Sequence, residues 1–292
     1  MKIVVSADDY GLTKGVTDTI LESVDHGAVT SVSIIANGED FDRAIEEAKK
    51  RPQMDVALHF NLTDGKPLAD ISQCEIVGPD GKFFLLFQTL WSTYIFSSRK
   101  KELQQAIRAE VRAQVQRVKS ALPDRKISLN GHDHVHMIPY VFGVIAEVAE
   151  EIGISYIRIP EEKYFFDRRH IKNCLGSGLI KLLLLNVLSI RARRLLVGKK
   201  VETPDAFVGI LFTGAMSLPI VRLAFAQIFR MKVQPKIVEV LFHPGAVTAE
   251  EQKRWPVGGR SAEWFISKDR RLESDEVCSP KFKKYIESLR SR

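Results

Sequence analysis

Three of the chain's seven histidines fall within five residues, as His132, His134 and His136 in "GHDHVHM". His59 in "DVALHF", His243 in "VLFHPG" and the adjacent acids Asp8 and Asp9 in "IVVSADDYG" share one feature with that cluster. Each ends or follows a short apolar run of the kind that fills a buried strand. A carboxylate with two imidazoles suits zinc and is acceptable to other divalent ions, and three protein ligands leave positions open for water and substrate. A second carboxylate beside the first could then act as a general base. A cation would also turn the mutual repulsion of Asp8 and Asp9 into attraction. Each residue alone has an ordinary explanation. Asp8 could open a turn and Asp9 cap a helix near Thr13. His59 could be a core histidine, His243 a turn residue, and "HDHVH" a surface metal-scavenging tract. Their common place at strand ends is what these separate explanations leave unexplained.

The elements that must position these residues alternate along the chain. Strands are predicted at 3–5, 29–36, 55–62, 127–131, 155–159, 207–211 and 237–242, with helical patterns at 14–26, 40–51, 99–122, 140–152, 215–230 and 279–290. Such alternation predicts an α/β fold with a mainly parallel sheet. Seven or so strands in one domain over 1–292 suit a distorted (β/α) barrel, with an open doubly wound sheet as the alternative. In such barrels the carboxyl ends of the strands share one face, where distant residues converge. The stretches 63–98 and 245–278 carry Gly, Pro and aromatics without clear periodicity and are expected to be long loops.

Composition narrows the function classes. With 292 residues, 45% hydrophobic and 27% charged, the chain is long enough for a large core. A net charge of +7 is too mild to argue for nucleic acid. Cys74, Cys174 and Cys278 are sparse and form no C-x-x-C pair, which points to free thiols in a reducing compartment. No signal-peptide pattern opens the sequence, so a cytoplasmic location is expected. "LIKLLLLNVLSI" at 179–190 is too short to span a bilayer, which takes about 20 apolar residues. It leads into a basic run ending at Lys200. The segment 179–200 is therefore either an outer barrel helix or an interfacial helix at the inner face of an anionic membrane.

"ADDYG", "LHFNLTDGKPL", "GHDHVHM" and "HPG", in that order over residues 7–245, resemble the YdjC-like carbohydrate deacetylases. The resemblance implies a distorted (β/α) barrel related to polysaccharide deacetylases. It also implies one divalent ion, zinc or magnesium, and removal of an acetyl group from an N-acetylated sugar. By that resemblance Asp9, His59 and His132 are the metal ligands, Asp8 the catalytic base and His243 the general acid. His134 and His136 would be pocket or supporting residues. Where the family often has three consecutive histidines, this chain has His132-Asp133-His134. Arg158 in "YIRIP" is expected to orient Asp8, to contact substrate, or to form a salt bridge on the barrel rim. "TPDAFVGILFTGAMS" at 203–217 resembles the hopanoid-associated branch, which makes a lipid-linked sugar a substrate beside a soluble chitooligosaccharide. Expected partners are thus the N-acetylated sugar, an anionic membrane surface and a second copy in a homodimer, with no nucleic acid. A metal-dependent phosphoesterase and a catalytically silent membrane-associated binding protein are the competing readings.

Overall fold

The computed structural model describes residues 1–245, 247–254 and 264–291. Seven strands form one sheet: β1 (Lys2–Tyr10), β2 (Ser31–Ile34), β3 (Asp55–Phe60), β4 (Ile127–Gly131), β5 (Ile154–Ile157), β6 (Ala206–Val208) and β7 (Ile237–Phe242). Every ladder is parallel, and the order is β5-β4-β3-β2-β1-β7-β6. Parallel neighbours require crossovers, and helices between the strands supply them, so both faces of most strands are covered. That is why β1 and β7 read as nearly continuous Val and Ile runs. Each edge strand meets the chain that flanks the other, across a looser seam. Single parallel bridges join Tyr156 to Glu202 and Glu162 to Phe207. The sheet is therefore a distorted (β/α) barrel, as the alternation of elements predicts, and the open doubly wound sheet is set aside.

Helices Lys14–Asp25, Phe41–Lys49, Lys100–Ala121, Leu218–Ile228 and Pro280–Arg290 lie within the segments predicted for them, and Pro139–Val148 starts one residue ahead of its own. Two expected loops are corrected. Within 63–98 the chain forms the helix Phe87–Phe96, which buries only Leu90 fully. Its apolar residues surround the helix, so no amphipathic stripe betrays it. The 63–69 turn is also pinned, because buried Glu110 accepts from the backbone N–H of Leu68 and Ala69. Within 245–278, helices Ala249–Arg254 and Lys268–Val277 replace irregular chain. The second buries Arg270, Glu273 and Val277, a helical stripe that is mostly charged and therefore invisible to apolar periodicity. Residues 255–263 of that expected loop lie outside the described residues. The segment 179–200 falls largely in the helix Ser177–Leu195. Among the described residues no single helix is long and apolar enough to cross a membrane, although this helix and Arg168–Leu175 pass that test together across a 57° bend.

Charge fills the middle of the barrel. Arg158, with 0% exposure, donates from Nε to Glu239 Oε1 at 2.7 Å. Tyr156 donates its hydroxyl to Glu239 Oε2 at 2.7 Å, and Ser6 donates to Oε1 at 2.9 Å. A buried arginine is tolerable only with its charge and donors met, and this one is met by two carboxylates.

Candidate active site

Adjacent residues on a regular strand point to opposite faces, so Asp8 and Asp9 should diverge. They do not, because β1 bulges there. Its register against β2 passes from Ala7↔Val32 to Tyr10↔Ile34, one residue too many, and Asp9 takes φ 73°. A bulge of this kind re-aims side chains at a strand end. Both carboxylates consequently line one small cavity of about 30 Å³ with His59, His132, His134, Lys181, His243 and Trp264. The helix cap in this turn is Thr13, whose Oγ1 accepts from Val16 N–H, so neither acid is occupied in capping.

Each acid has its own arginine. Arg158 holds Asp8 through two hydrogen bonds, Nη1 to Oδ2 at 2.7 Å and Nη2 to Oδ1 at 2.9 Å. Burial pushes the Asp8 carboxyl up, but the Arg158 guanidinium, helped by His59, outweighs it and holds the group well below the usual carboxylate range. Arg270 donates from Nη1 to Asp9 Oδ2 at 2.7 Å. For Asp9 too, burial opposes the charge and Arg270, followed by His132 and His59, lowers the pKa. The repulsion between the neighbouring acids is thus absorbed by cations on separate sides.

The other oxygen of Asp9 faces two imidazoles. Oδ1 lies 3.0 Å from His132 Nδ1 and 3.5 Å from His59 Nε2, yet it is buried and has no hydrogen-bond partner among the described residues. One ligand atom from each of Asp9, His59 and His132 lies within 4.8 Å of the others. The remaining ring nitrogens point to acceptors. His59 Nδ1 is 2.5 Å from Asn130 Oδ1, and Asn130 donates in turn to Ser33. His132 Nε2 is 3.3 Å from Asp64 Oδ2. Such outer partners fix the tautomer that presents a lone pair to an ion. Burial disfavours a charged His132, but Asp64 and Asp9 raise its pKa well above the ordinary value, so the spot itself calls for positive charge. An orphaned buried carboxylate oxygen beside two oriented imidazoles fits a divalent ion.

The "HDHVH" segment leaves β4 as a 3-10 turn in which Asp133 (φ 47°) and His134 (φ 57°) are left-handed. Strain of this kind in non-glycine residues needs support from the surrounding fold. Gly131 allows the close approach, since a Cβ there would meet His136 Nδ1 at 2.6 Å. His132 and His134 reach the cavity wall. His136 does not line it; its Nε2 is 3.0 Å from the Arg158 carbonyl, and burial, which Arg158 and His59 reinforce, pushes its pKa down to about 3. Arg158 does not line this cavity either; it is fully buried inside the barrel under Asp8 and is not on the rim. His243 is half-buried at the end of β7, which pairs with β1, and lines the same small cavity as the acids. Its backbone N–H donates to Glu273 Oε2 at 2.6 Å, and the Glu273 carboxylate is 3.7 Å from its Nδ1.

Asp64, Asn130, Glu239, Arg270 and Glu273 have no place in the sequence-based site. Glu239 could have been suspected, as the one acid inside the apolar strand "IVEVLF", and Asp64 as part of the "TDG" turn. Arg270 and Glu273 lie in a run of charges that resembles any solvated helix.

A parallel barrel with an Asp-His-His cluster at the carboxyl ends of β1, β3 and β4 defines the class as a (β/α)-barrel protein with a candidate metal centre. More particularly, the chain belongs to the YdjC-like protein family, whose model matches residues 2–288. It is 33% identical over 165 residues to a chitooligosaccharide deacetylase of Escherichia fergusonii. That match covers 56% of this chain and 62% of the relative, so the chain spans less than two thirds of that protein. A solved structure from Enterococcus faecalis V583, described as a candidate cellobiose-phosphate cleavage protein, superposes with a TM-score of 0.70 at 20% identity. It covers 98% of this chain and 94% of its own, and it shares the fold.

Proposed function

We propose that this protein is a metal-dependent N-deacetylase that hydrolyses the acetamide of an N-acetylated sugar to acetate and a free amine. The observation that carries the reading is the division of labour between two adjacent carboxylates: Asp9 turns one oxygen to both imidazoles, whereas Asp8 has both oxygens on Arg158 and reaches only His59, 3.8 Å away. The deacetylase relative and family membership support it. Asp9, His59 and His132 would hold the ion, zinc or magnesium. When bound, such an ion polarises an amide carbonyl and makes water acidic enough to attack at neutral pH. Asp8, kept ionised and clamped by Arg158, accepts the proton of the attacking water. His243, which lines the same cavity, donates a proton to the departing nitrogen, because an amine is too basic to leave as an anion.

Two finer parts of the proposal concern the substrate and where it is met. A soluble chitooligosaccharide and a lipid-linked N-acetyl sugar both present the same acetamide. Peripheral contact with an anionic membrane through 179–200, at the inner face, is supported by the outward stripe of helix Ser177–Leu195. Ile180, Leu183, Val187 and Ile190 are all more than half exposed, where a solvated helix would carry polar residues. Residues 168–200 also contain nine Lys or Arg and no acid. The decisive experiment measures acetate released from N-acetylglucosamine conjugates with and without chelator. Chelator-sensitive release is expected. Phosphate release from phosphosugars in its place would make the protein a phosphoesterase, and neither product would reduce it to a binding protein.

A further inference from the structure

The cavity that holds Asp8, Asp9 and His243 measures about 30 Å³, which is room for about one water and far too little for a pyranose. A second cavity of about 780 Å³ adjoins it, walled by Phe87, Leu184, Leu211 and Phe265 among others. Four residues line both: Asp133, His134, Lys181 and Trp264. Resting on the deacetylase reading, the body of the substrate must occupy the larger space and pass only its acetamide end inward. The shared residues stand where it crosses.

Two of those residues have polar groups without a partner. His134 is 5% exposed, and its Nδ1 has no hydrogen bond among the described residues. No hydrogen bond or ion pair among the described residues reaches the Lys181 ammonium, although it rises from a helix face whose neighbours Leu184 and Leu185 are apolar. Lys181 is exposed, so water serves its ammonium in the free protein and a ligand oxygen entering the larger cavity can take that water's place.

We infer that Lys181, with His134 beside it, is the substrate-binding pair of this site, and that the ammonium donates to an oxygen of the sugar as it enters the small cavity. That oxygen is either a hydroxyl or a phosphate oxygen of a substituted sugar. A hydrogen bond from a charged donor predicts a loss of about 10- to 100-fold when the donor is removed.

Lys181→Met keeps the aliphatic stem and deletes the charge. In the full-length protein its kcat/KM for deacetylation should fall by about 10- to 100-fold, through KM, with bound metal and unfolding temperature unchanged and Lys181→Arg recovering part of the loss. A neutral N-acetylated sugar and its phosphorylated counterpart are run side by side. An equal loss on both identifies a hydroxyl, and a larger loss on the second identifies the phosphate. A kcat/KM within twofold of wild type on both substrates overturns the inference. If wild type releases no acetate, the deacetylase reading fails by itself, and calorimetric titration of the same two sugars decides on Lys181. Weaker binding by Lys181→Met upholds the inference; equal binding, or none by either protein, overturns it.

Discussion

Arg270 Nη1 lies 2.7 Å from Asp9 Oδ2, a contact between residues 261 positions apart. The same guanidinium donates to the Gly245 carbonyl and lies over the Phe265 ring, 4.9 Å from its centroid. It thus pins one oxygen of Asp9 and leaves the other to face His59 and His132. Arg158, from the barrel interior, holds both oxygens of Asp8. The paired acids are tolerable because each is held from behind by a buried cation.

The metal should depend on Asp9, His59 and His132 together. His59→Ala and His132→Ala are expected to lose bound metal by elemental analysis while retaining the circular dichroism spectrum of the folded protein. Arg270→Lys keeps a charge but gives up the planar fork, so metal affinity should drop about 10- to 100-fold without loss of the ion at saturation. Stoichiometric metal in the purified histidine variants would remove them from the ligand set.

Asp8 and His243 should act in the chemistry and not in ligation. Asp8→Asn is expected to keep its metal and lose turnover by about 100-fold or more, since an amide cannot accept the proton of water. His243→Ala should also keep metal, with a loss that shrinks for substrates whose leaving group is less basic. Metal analysis and a leaving-group series check both. Loss of metal from either variant would transfer that residue to the ligand set.

Stability should fall as pH rises through the range set by Glu162. This carboxyl is 2% exposed, its Oε1 has no partner, and its Oε2 accepts from the backbone N–H groups of Gly209 and Ile210. Burial outweighs those hydrogen bonds and raises its pKa from 4.5 to about 7. Between those two values the unfolded chain releases a proton that the folded chain keeps. Deprotonation therefore favours unfolding by about 3 kcal/mol in total, with no further change above the folded pKa. Urea unfolding of wild type and Glu162→Gln across that window isolates the effect. Glu162→Gln should be the more stable protein at pH 8, and parallel stability curves for the two would refute the assignment.

Contact with anionic membrane should be salt-sensitive. The basic residues around the exposed Ile180, Leu183, Val187 and Ile190 each contribute about 1 kcal/mol near an anionic surface, and that attraction is screened over roughly 8 Å at physiological ionic strength. Sedimentation with liposomes should therefore show binding to anionic vesicles that weakens as salt is added, and little binding to neutral ones. Absence of binding to both, with good activity on soluble chitooligosaccharides, would leave the helix as an ordinary outer helix of the barrel.

Much of this protein is legible in its sequence because the relevant signals are local. Apolar runs rich in Val and Ile mark all seven strands, since a strand covered on both faces must be apolar throughout. The metal-ligand candidates follow because each ends such a run, and a parallel barrel gathers those ends whatever the loops do. Tertiary structure alone decided how the candidates face each other. The bulge that turns Asp8 and Asp9 into one cavity depends on β1 pairing with β2 out of regular register, which no property of "ADDYG" dictates. Asn130 and Asp64 orient imidazoles on other segments, and Arg158 and Arg270 neutralise acids 150 and 261 residues away. Sequence patterns record which residues avoid water, whereas a buried ion pair is made of residues that ordinarily seek it. Only the folded chain shows that these charges are inside.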